Sequence, residues 1–244
     1  IRVIPIISLI VPGIVDNATG AIRFSSVFRW TDVHLAEQLR LLMSQYRFVI
    51  ENDIKAVATA EMYFGLSRSS YDSVVLNIGD GIGAAVIINQ EIYRGQHNIA
   101  GEIGHIVTNQ VGRLCECGQF GCLQTDIAEW AILQEARSVQ SDITLDGVFD
   151  AYERQDDWAV KLVNRIVVGI SLAINLVVMS YSPQVVILFG SLVFRYPTLR
   201  NLIIERHRSY VNDYAKDTFD LKFSTYDHLG HLVGGAILAI IESF

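Results

Sequence analysis

Apolar residues occur in short blocks along this chain, and their spacing changes from block to block. Val3 to Val11 is almost unbroken apolar sequence, the pattern of a strand buried on both faces. From His34 to Gln45 the apolar positions Leu35, Leu39, Leu42 and Met43 recur at helical spacing. Arg47–Glu51 reads as a short strand, and Asp53–Phe64 as a helix that Gly65 stops. Ser73–Ile78 and Gly83–Ile88 read as a hairpin joined by Gly79-Asp80-Gly81-Ile82, with a further strand at Ile92–Arg94. Helices are predicted at Asp126–Ser138, Thr144–Tyr152, Trp158–Tyr181, Leu199–Tyr210 and His231–Ile241, with strands at Val185–Leu188 and Leu221–Ser224. Pro12-Gly13 and Asp16–Gly20 carry turn chemistry. Strands alternating with helices predict an α/β fold with a largely parallel or mixed sheet. There is no internal repeat, low-complexity run or linker.

The longest apolar stretch, Ile166 to Tyr181, is shorter than a membrane span and is interrupted by Ser171 and Asn175. It is expected to be a fully buried core or interface helix, and no membrane partner is expected. Composition adds little beyond bounds. With 244 residues, 51% of them hydrophobic, the chain can bury a core in one large domain or two small lobes. A net charge of -7 gives no basic footprint for nucleic acid and would be repelled by an anionic membrane. Residues 1–10 read as a strand without a cleavage site, so no signal peptide is expected. The chain starts at Ile, in mid-strand, and is expected to be a piece of a longer protein.

All three cysteines fall within eight residues, Cys115-Glu116-Cys117-Gly118-Gln119-Phe120-Gly121-Cys122, and His105 lies just upstream. Buried apolar filler is one reading of such residues. A disulfide is another, but three is an odd number, and Cys115 and Cys117 are too close to pair comfortably. Three thiolates and one imidazole are the set a closed tetrahedral zinc site needs, and the two glycines let the loop fold tightly. Four protein ligands leave no open position for water, so the zinc is expected to be structural. Thiolates placed for metal also point to a reducing compartment, here the cytoplasm.

Three further groups carry candidate chemistry. Glu51-Asn52-Asp53 sits where a strand ends and a helix begins, the edge at which α/β sheets gather ligands. Asn52 and Asp53 suit sugar hydroxyls, and Asp53 suits a general base. Local sequence alone favours the plainer role of helix cap. Glu102 can accept from two neighbouring hydroxyls, while His105 can use its second ring nitrogen on a ligand. Gly79, Gly81 and Gly83 form a glycine-rich turn. Backbone N–H groups there can wrap phosphate, but Asp80 within it repels phosphate, and a tight hairpin turn explains the glycines equally well.

Taken together, these residues resemble the ROK family of repressors and sugar kinases over nearly the whole chain. The markers are Pro12-Gly13-Ile14-Val15-Asp16, Glu51-Asn52-Asp53, Gly79–Gly83, Ala100-Gly101-Glu102-Ile103-Gly104-His105 and Cys115-x-Cys117-Gly118-x-x-Gly121-Cys122. The resemblance implies an actin-like, two-lobed sugar-kinase fold, with residues 1–70 and 229–244 in one lobe and 71–228, including the zinc loop, in the other. It implies zinc on His105, Cys115, Cys117 and Cys122. It also implies a sugar between the lobes on Asn52, Asp53, Glu102 and His105. The family's Glu two residues after the last zinc cysteine is Gln124 here, a weaker acceptor at a sugar contact.

The family contains both kinases and repressors, and three departures favour a repressor. The Asp-x-Gly-x-Thr phosphate loop of the kinases is absent from the chain. The second phosphate loop holds Asp80, Ala84 and Ala85 in place of a hydroxyl residue and glycines. Bulky Phe189 stands before Gly190 where paired glycines are common. The expectation is therefore a sugar-sensing effector region, forming a homodimer or higher homo-oligomer and controlling DNA through a helix-turn-helix ahead of residue 1. ATP is not expected as a cofactor. The rival is an ATP-dependent sugar kinase with Asp53 as general base, and a protein-binding module is a third possibility.

Overall fold

The computed structural model describes residues 5–227 and 229–243. Val3 and Ile4, expected to start the first strand, lie outside the described residues. Strand β1 (Ile6–Val11) is followed by an antiparallel meander of β2 (Ile14–Asp16), β3 (Ala21–Ser25) and β4 (Trp30–Val33). The predicted turn is present, with the Gly20 N–H donating to Asp16 O at 2.7 Å, but the strands around it were not predicted. They escape the hydrophobic pattern because they are short and mostly polar outside. Arg23, Thr31 and Asp32 face solvent while Val15, Ala21 and Ile22 are buried.

Helix α1 (Leu35–Leu42) stops short of the predicted Gln45. Strand β5 (Arg47–Asn52) then runs parallel to β1, with Val11 opposite Asn52. Helix α2 (Asp53–Phe64) follows without a gap, capped by the Asn52 side chain and ended at Gly65, as the residue types predict. Every residue from Lys55 to Glu61 is buried, because α2 is covered on two sides.

One side of α2 meets a five-stranded mixed sheet. Strands β6 (Ser73–Ile78), β7 (Ile82–Ile88) and β8 (Glu91–Tyr93) are antiparallel neighbours. After them come helices α3 (Gln124–Ile127), α4 (Glu129–Val139), α5 (Leu145–Glu153) and α6 (Asp157–Tyr181). The chain re-enters the sheet as β9 (Val185–Phe189), makes α7 (Ser191–Arg195) and α8 (Pro197–Arg206), and returns as β10 (Asp220–Phe223). The sheet order is β10-β9-β6-β7-β8, with β6, β9 and β10 parallel.

Alternation within these strands divides the core. Val74, Leu76, Ile78, Val186 and Leu188 pack under α3–α6 and α8. Val75, Val185, Ile187 and Phe189 face the other way, onto Val57 and Ala58 of α2. A strand buried on both faces has no polar face to alternate with, hence the continuous apolar runs. Helix α6 is long and apolar enough to cross a membrane, but Ile166, Val167, Ile170, Ile174 and Val177 are buried in the larger core. Helix α9 (Gly230–Ile241) packs on the far side of α2 and against β1. A side chain at Gly234 would overlap the Ala56 carbonyl, so the two helices touch backbone to backbone.

Two predicted helices divide. Asp126–Ser138 breaks at Ala128, whose backbone is extended (φ -72°, ψ 152°). The next N–H, of Glu129, leaves the helical pattern to donate to Gly79 O at 3.1 Å. Leu199–Tyr210 becomes α8 and a separate 3-10 turn, His207–Tyr210.

Candidate functional site

The strand-to-helix corner at Asn52 is held by its own side chain. Asn52 Oδ1 accepts from the Lys55 N–H at 3.0 Å, which is the capping role. Its amide nitrogen donates to Gly13 O and to Asp53 Oδ1, both at 2.9 Å. The first contact ties the end of β5 to the turn that follows β1. Asp53 Oδ1 also accepts from the Ile54 N–H at 2.9 Å. Burial pushes the Asp53 carboxyl above the usual range, while the Ile54 N–H and the nearby His231 pull it back.

Glu102 reaches the same place from the other sheet. Gly101 before it has φ +96°, and a side chain there would overlap the Ala84 carbonyl. Gly101 O accepts from the Ala84 N–H at 2.7 Å, so this residue lies flat on β7 and fixes where Glu102 emerges. Burial raises the Glu102 carboxyl as well; His105 and Lys55 oppose that shift and Asp53 adds to it. Asp53, Lys55 and Glu102 therefore feel one another across the junction of α2 and the β7–β8 side, and Glu102 also feels His105. That junction gathers acceptors and donors of the type that bind a polyhydroxylated ligand.

A 3-10 turn, Ile103–His105, carries the chain on to the thiols. The ligating atoms of His105, Cys115, Cys117 and Cys122 all lie within 4.8 Å of one another. His105 Nδ1 is 3.5 Å from Cys115 Sγ, and the sulfurs of Cys117 and Cys122 are 3.6 Å apart. That sulfur separation is far beyond a disulfide bond of about 2.05 Å. It is close to the edge of about 3.8 Å that tetrahedral geometry requires for metal–sulfur bonds of about 2.3 Å. Burial, then the neighbouring thiols Cys117 and Cys115, push the Cys122 thiol up to about 12. Burial raises the Cys115 thiol too, whereas, against burial, the Gln119 backbone and the two other thiols bring Cys117 down, and a cation among them would favour all three thiolates. The four residues fit a metal ion.

Gln124 faces this cluster. Its amide donates to Cys115 Sγ at 3.3 Å and to Glu116 Oε1 at 3.1 Å. The structure thus sets Asn52 beside Asp53, puts Glu102 within electrostatic reach of Asp53 and His105, and turns the Gln124 amide towards the thiol loop.

The three hairpin glycines play a different part. Asn77 closes the turn by donating to Gly81 O at 2.9 Å. A side chain at Gly83 would meet Ile54 on α2, and one at Gly79 would meet Ser191. Ser191 in turn donates to Glu129. Burial raises the Glu129 carboxyl and Asp80 beside it raises it further, while the Ser191 hydroxyl and the Arg195 guanidinium pull it back. Two carboxylates therefore stand together at the glycine turn.

Sequence reasoning passed over Lys55, Arg94 and His231. Arg94 makes a two-armed ion pair with Glu51, with Nη1 donating to Oε1 at 3.0 Å. Lys55 Nζ donates to Asn98 O at 2.7 Å. The only local signal was a lysine inside the otherwise apolar start of α2.

Comparison with known proteins identifies the family and the fold. The ROK family model matches residues 2–242. The chain belongs to the ROK family. Among its relatives is the DNA-binding transcriptional dual regulator NagC of Escherichia coli, 31% identical over 196 residues, covering 76% of this chain and 48% of that protein. A glucokinase of Thermotoga maritima is 30% identical over 204 residues, covering 77% of this chain and 64% of that protein. The crystal structure of a ROK hexokinase from Thermus thermophilus superposes with a TM-score of 0.83 at 25% identity, over 96% of this chain and 78% of that one. The fold is accordingly the actin-like α/β fold of ROK sugar kinases. This ROK chain spans about half the length of the NagC regulator it matches. Its relatives include both repressors and sugar kinases.

Proposed function

We propose that this chain is the sugar-sensing region of a ROK-type transcriptional repressor. A sugar or sugar derivative binds at the cleft lined by Asn52, Asp53, Glu102 and His105, with Gln124 at its edge. Residues 1–70 with 229–244 form one lobe and 71–228 the other. Ligand binding favours one closure angle between them through its unequal affinity for the two states. The change passes to a DNA-binding helix-turn-helix outside this chain, in a cytoplasmic homodimer or higher homo-oligomer.

The observation that carries this reading is the carboxylate pair Asp80 and Glu129 at the glycine turn. In a kinase reading, that turn would receive nucleotide phosphates, and two carboxylates there oppose polyanion binding. Phe189 supports the same conclusion. Its ring, at the last position of β9, packs edge-on to Phe194 and His231, with centroids at 5.7 and 5.4 Å. ATP is therefore not a ligand in this reading.

His105, Cys115, Cys117 and Cys122 hold zinc, the ion that three thiolates and an imidazole favour. Bound there, the ion supplies a rigid cross-link and no open coordination position. The residues of the chain do the recognition: Glu102 and Asp53 accept hydrogen bonds from hydroxyls, and the Asn52 amide holds the corner.

The kinase reading has one observation in its favour. Asp53 is a half-buried carboxyl, raised by desolvation and close to His231, as suits a general base. Calorimetric titration of the intact protein separates the two readings. Saturable binding of glucose, N-acetylglucosamine or xylose, unchanged by a non-hydrolysable ATP analogue that itself does not bind, is expected. Tight ATP-analogue binding that strengthens sugar binding would overturn the repressor reading.

A further inference from the structure

The segment from Arg94 to Gly101 crosses from β8 to the residue before Glu102. It closes on itself through the Ala100 N–H, which donates to Arg94 O at 3.2 Å, and the Glu102 N–H donates to Ile99 O at 3.3 Å. Two attachments fasten it to the β5–α2 corner. At one end, Arg94 grips Glu51, which is 2% exposed and also accepts from the Asn52 N–H at 2.8 Å. In the middle, Lys55 Nζ donates to Asn98 O, and Lys55 itself is only 3% exposed. A lysine is costly to bury. This one lies among the charges of Glu51, Arg94, Glu102 and Asp53. Asn98 has φ +60°, so its carbonyl is aimed at the ammonium by a left-handed backbone. The segment therefore joins the two halves of the cleft, with Asn52 and Asp53 on one side and Glu102 on the other.

We propose that Lys55 is a positioning residue of the sugar site: by holding Asn98 it fastens the 94–101 segment to α2 and so sets the Glu102 carboxylate opposite Asn52 and Asp53. This rests on the reading that the cleft binds a sugar. Arg94 and Glu51 anchor the start of the segment, and Lys55 anchors the point four residues before Glu102. Without the ammonium, the left-handed Asn98 conformation loses its partner, and Glu102 samples positions that the ligand must first gather in. That cost appears as lost affinity.

The test is calorimetric titration with glucose, N-acetylglucosamine and xylose, combined with amide hydrogen exchange. The wild-type protein binds at least one of the three. Lys55→Met weakens that binding at least tenfold and speeds exchange at residues 99–102, with the interiors of α6 and β6 unchanged. Unchanged affinity in Lys55→Met overturns the proposal while leaving the sugar-binding reading intact. Wild-type protein that binds none of the three overturns that reading, and the role of Lys55 with it. Should Lys55→Met fail to fold, a pair at Asn98 decides, because Lys55 bonds its backbone. Asn98→Gly, which keeps the left-handed conformation, retains affinity within about threefold, and Asn98→Val, which strains it, loses at least tenfold. Equal affinities for the two would overturn the proposal.

Discussion

At the scale of single residues, this site depends on a few backbone positions that place side chains. Gly101 is the clearest case. Its positive φ and its contact with the Ala84 carbonyl leave no room for a methyl group. Gly101→Ala is expected to cost at least about 2 kcal/mol, read as a drop in melting temperature, and to abolish sugar binding even where the protein still folds. Cys117→Ser is expected to remove the bound metal, measured as zinc per chain, and the sugar response with it; a variant that responded normally would contradict the bracing role. Asp53 ties the site to stability. Burial raises its folded pKa above the ordinary value of 3.8, so the folded state holds this proton more tightly than the unfolded chain does. Its contribution to stability is therefore greatest below that value and is lost as pH rises through the folded pKa. Asp53→Asn should melt higher than wild type at pH 7, an advantage that shrinks below about pH 4, in thermal scans across pH. The metal residues were legible in the sequence because all three thiols and their glycines lie within one loop. Lys55 and Arg94 were not, because each has its partner 43 residues away.

At the scale of elements, legibility followed local chemistry. Helix α2 has the predicted limits because Asn52 caps it and Gly65 ends it, both signals within the segment itself. The break at Ala128 is set instead by Gly79, which takes the Glu129 N–H from a distant hairpin. The β2–β4 meander was missed for a different reason: three to five residues with polar outer positions do not show a period. Helix α9 shows what packing adds to pattern. Its limits were legible from the apolar run, but only the fold shows that Gly234 rests on the Ala56 backbone while Leu232 and Ile240 stay exposed. Gly234→Ala is expected to push α9 away from α2 and cost about 3 kcal/mol, measured by denaturant unfolding, whereas Ala at exposed Leu232 should be nearly neutral.

At the scale of the whole molecule, the two halves of the proposed sugar site come from different sheets. β5 and α2 supply Asn52 and Asp53, and the segment packed on β7 supplies Glu102. A ligand that contacts both halves acts on the relation between them, which is the property a sensor needs. The same architecture serves sugar kinases, so the reading turns on what stands beside the proposed site: Asp80 and Glu129 at the glycine turn, and Phe189, the last residue of β9, against His231. The measurement that bears most directly on this is phosphate transfer from ATP to sugar by the intact protein, run beside sugar binding on the same preparation. The account predicts saturable sugar binding with no sugar phosphate formed. Sustained turnover, abolished by Asp53→Asn, would contradict it and make this chain the body of a kinase.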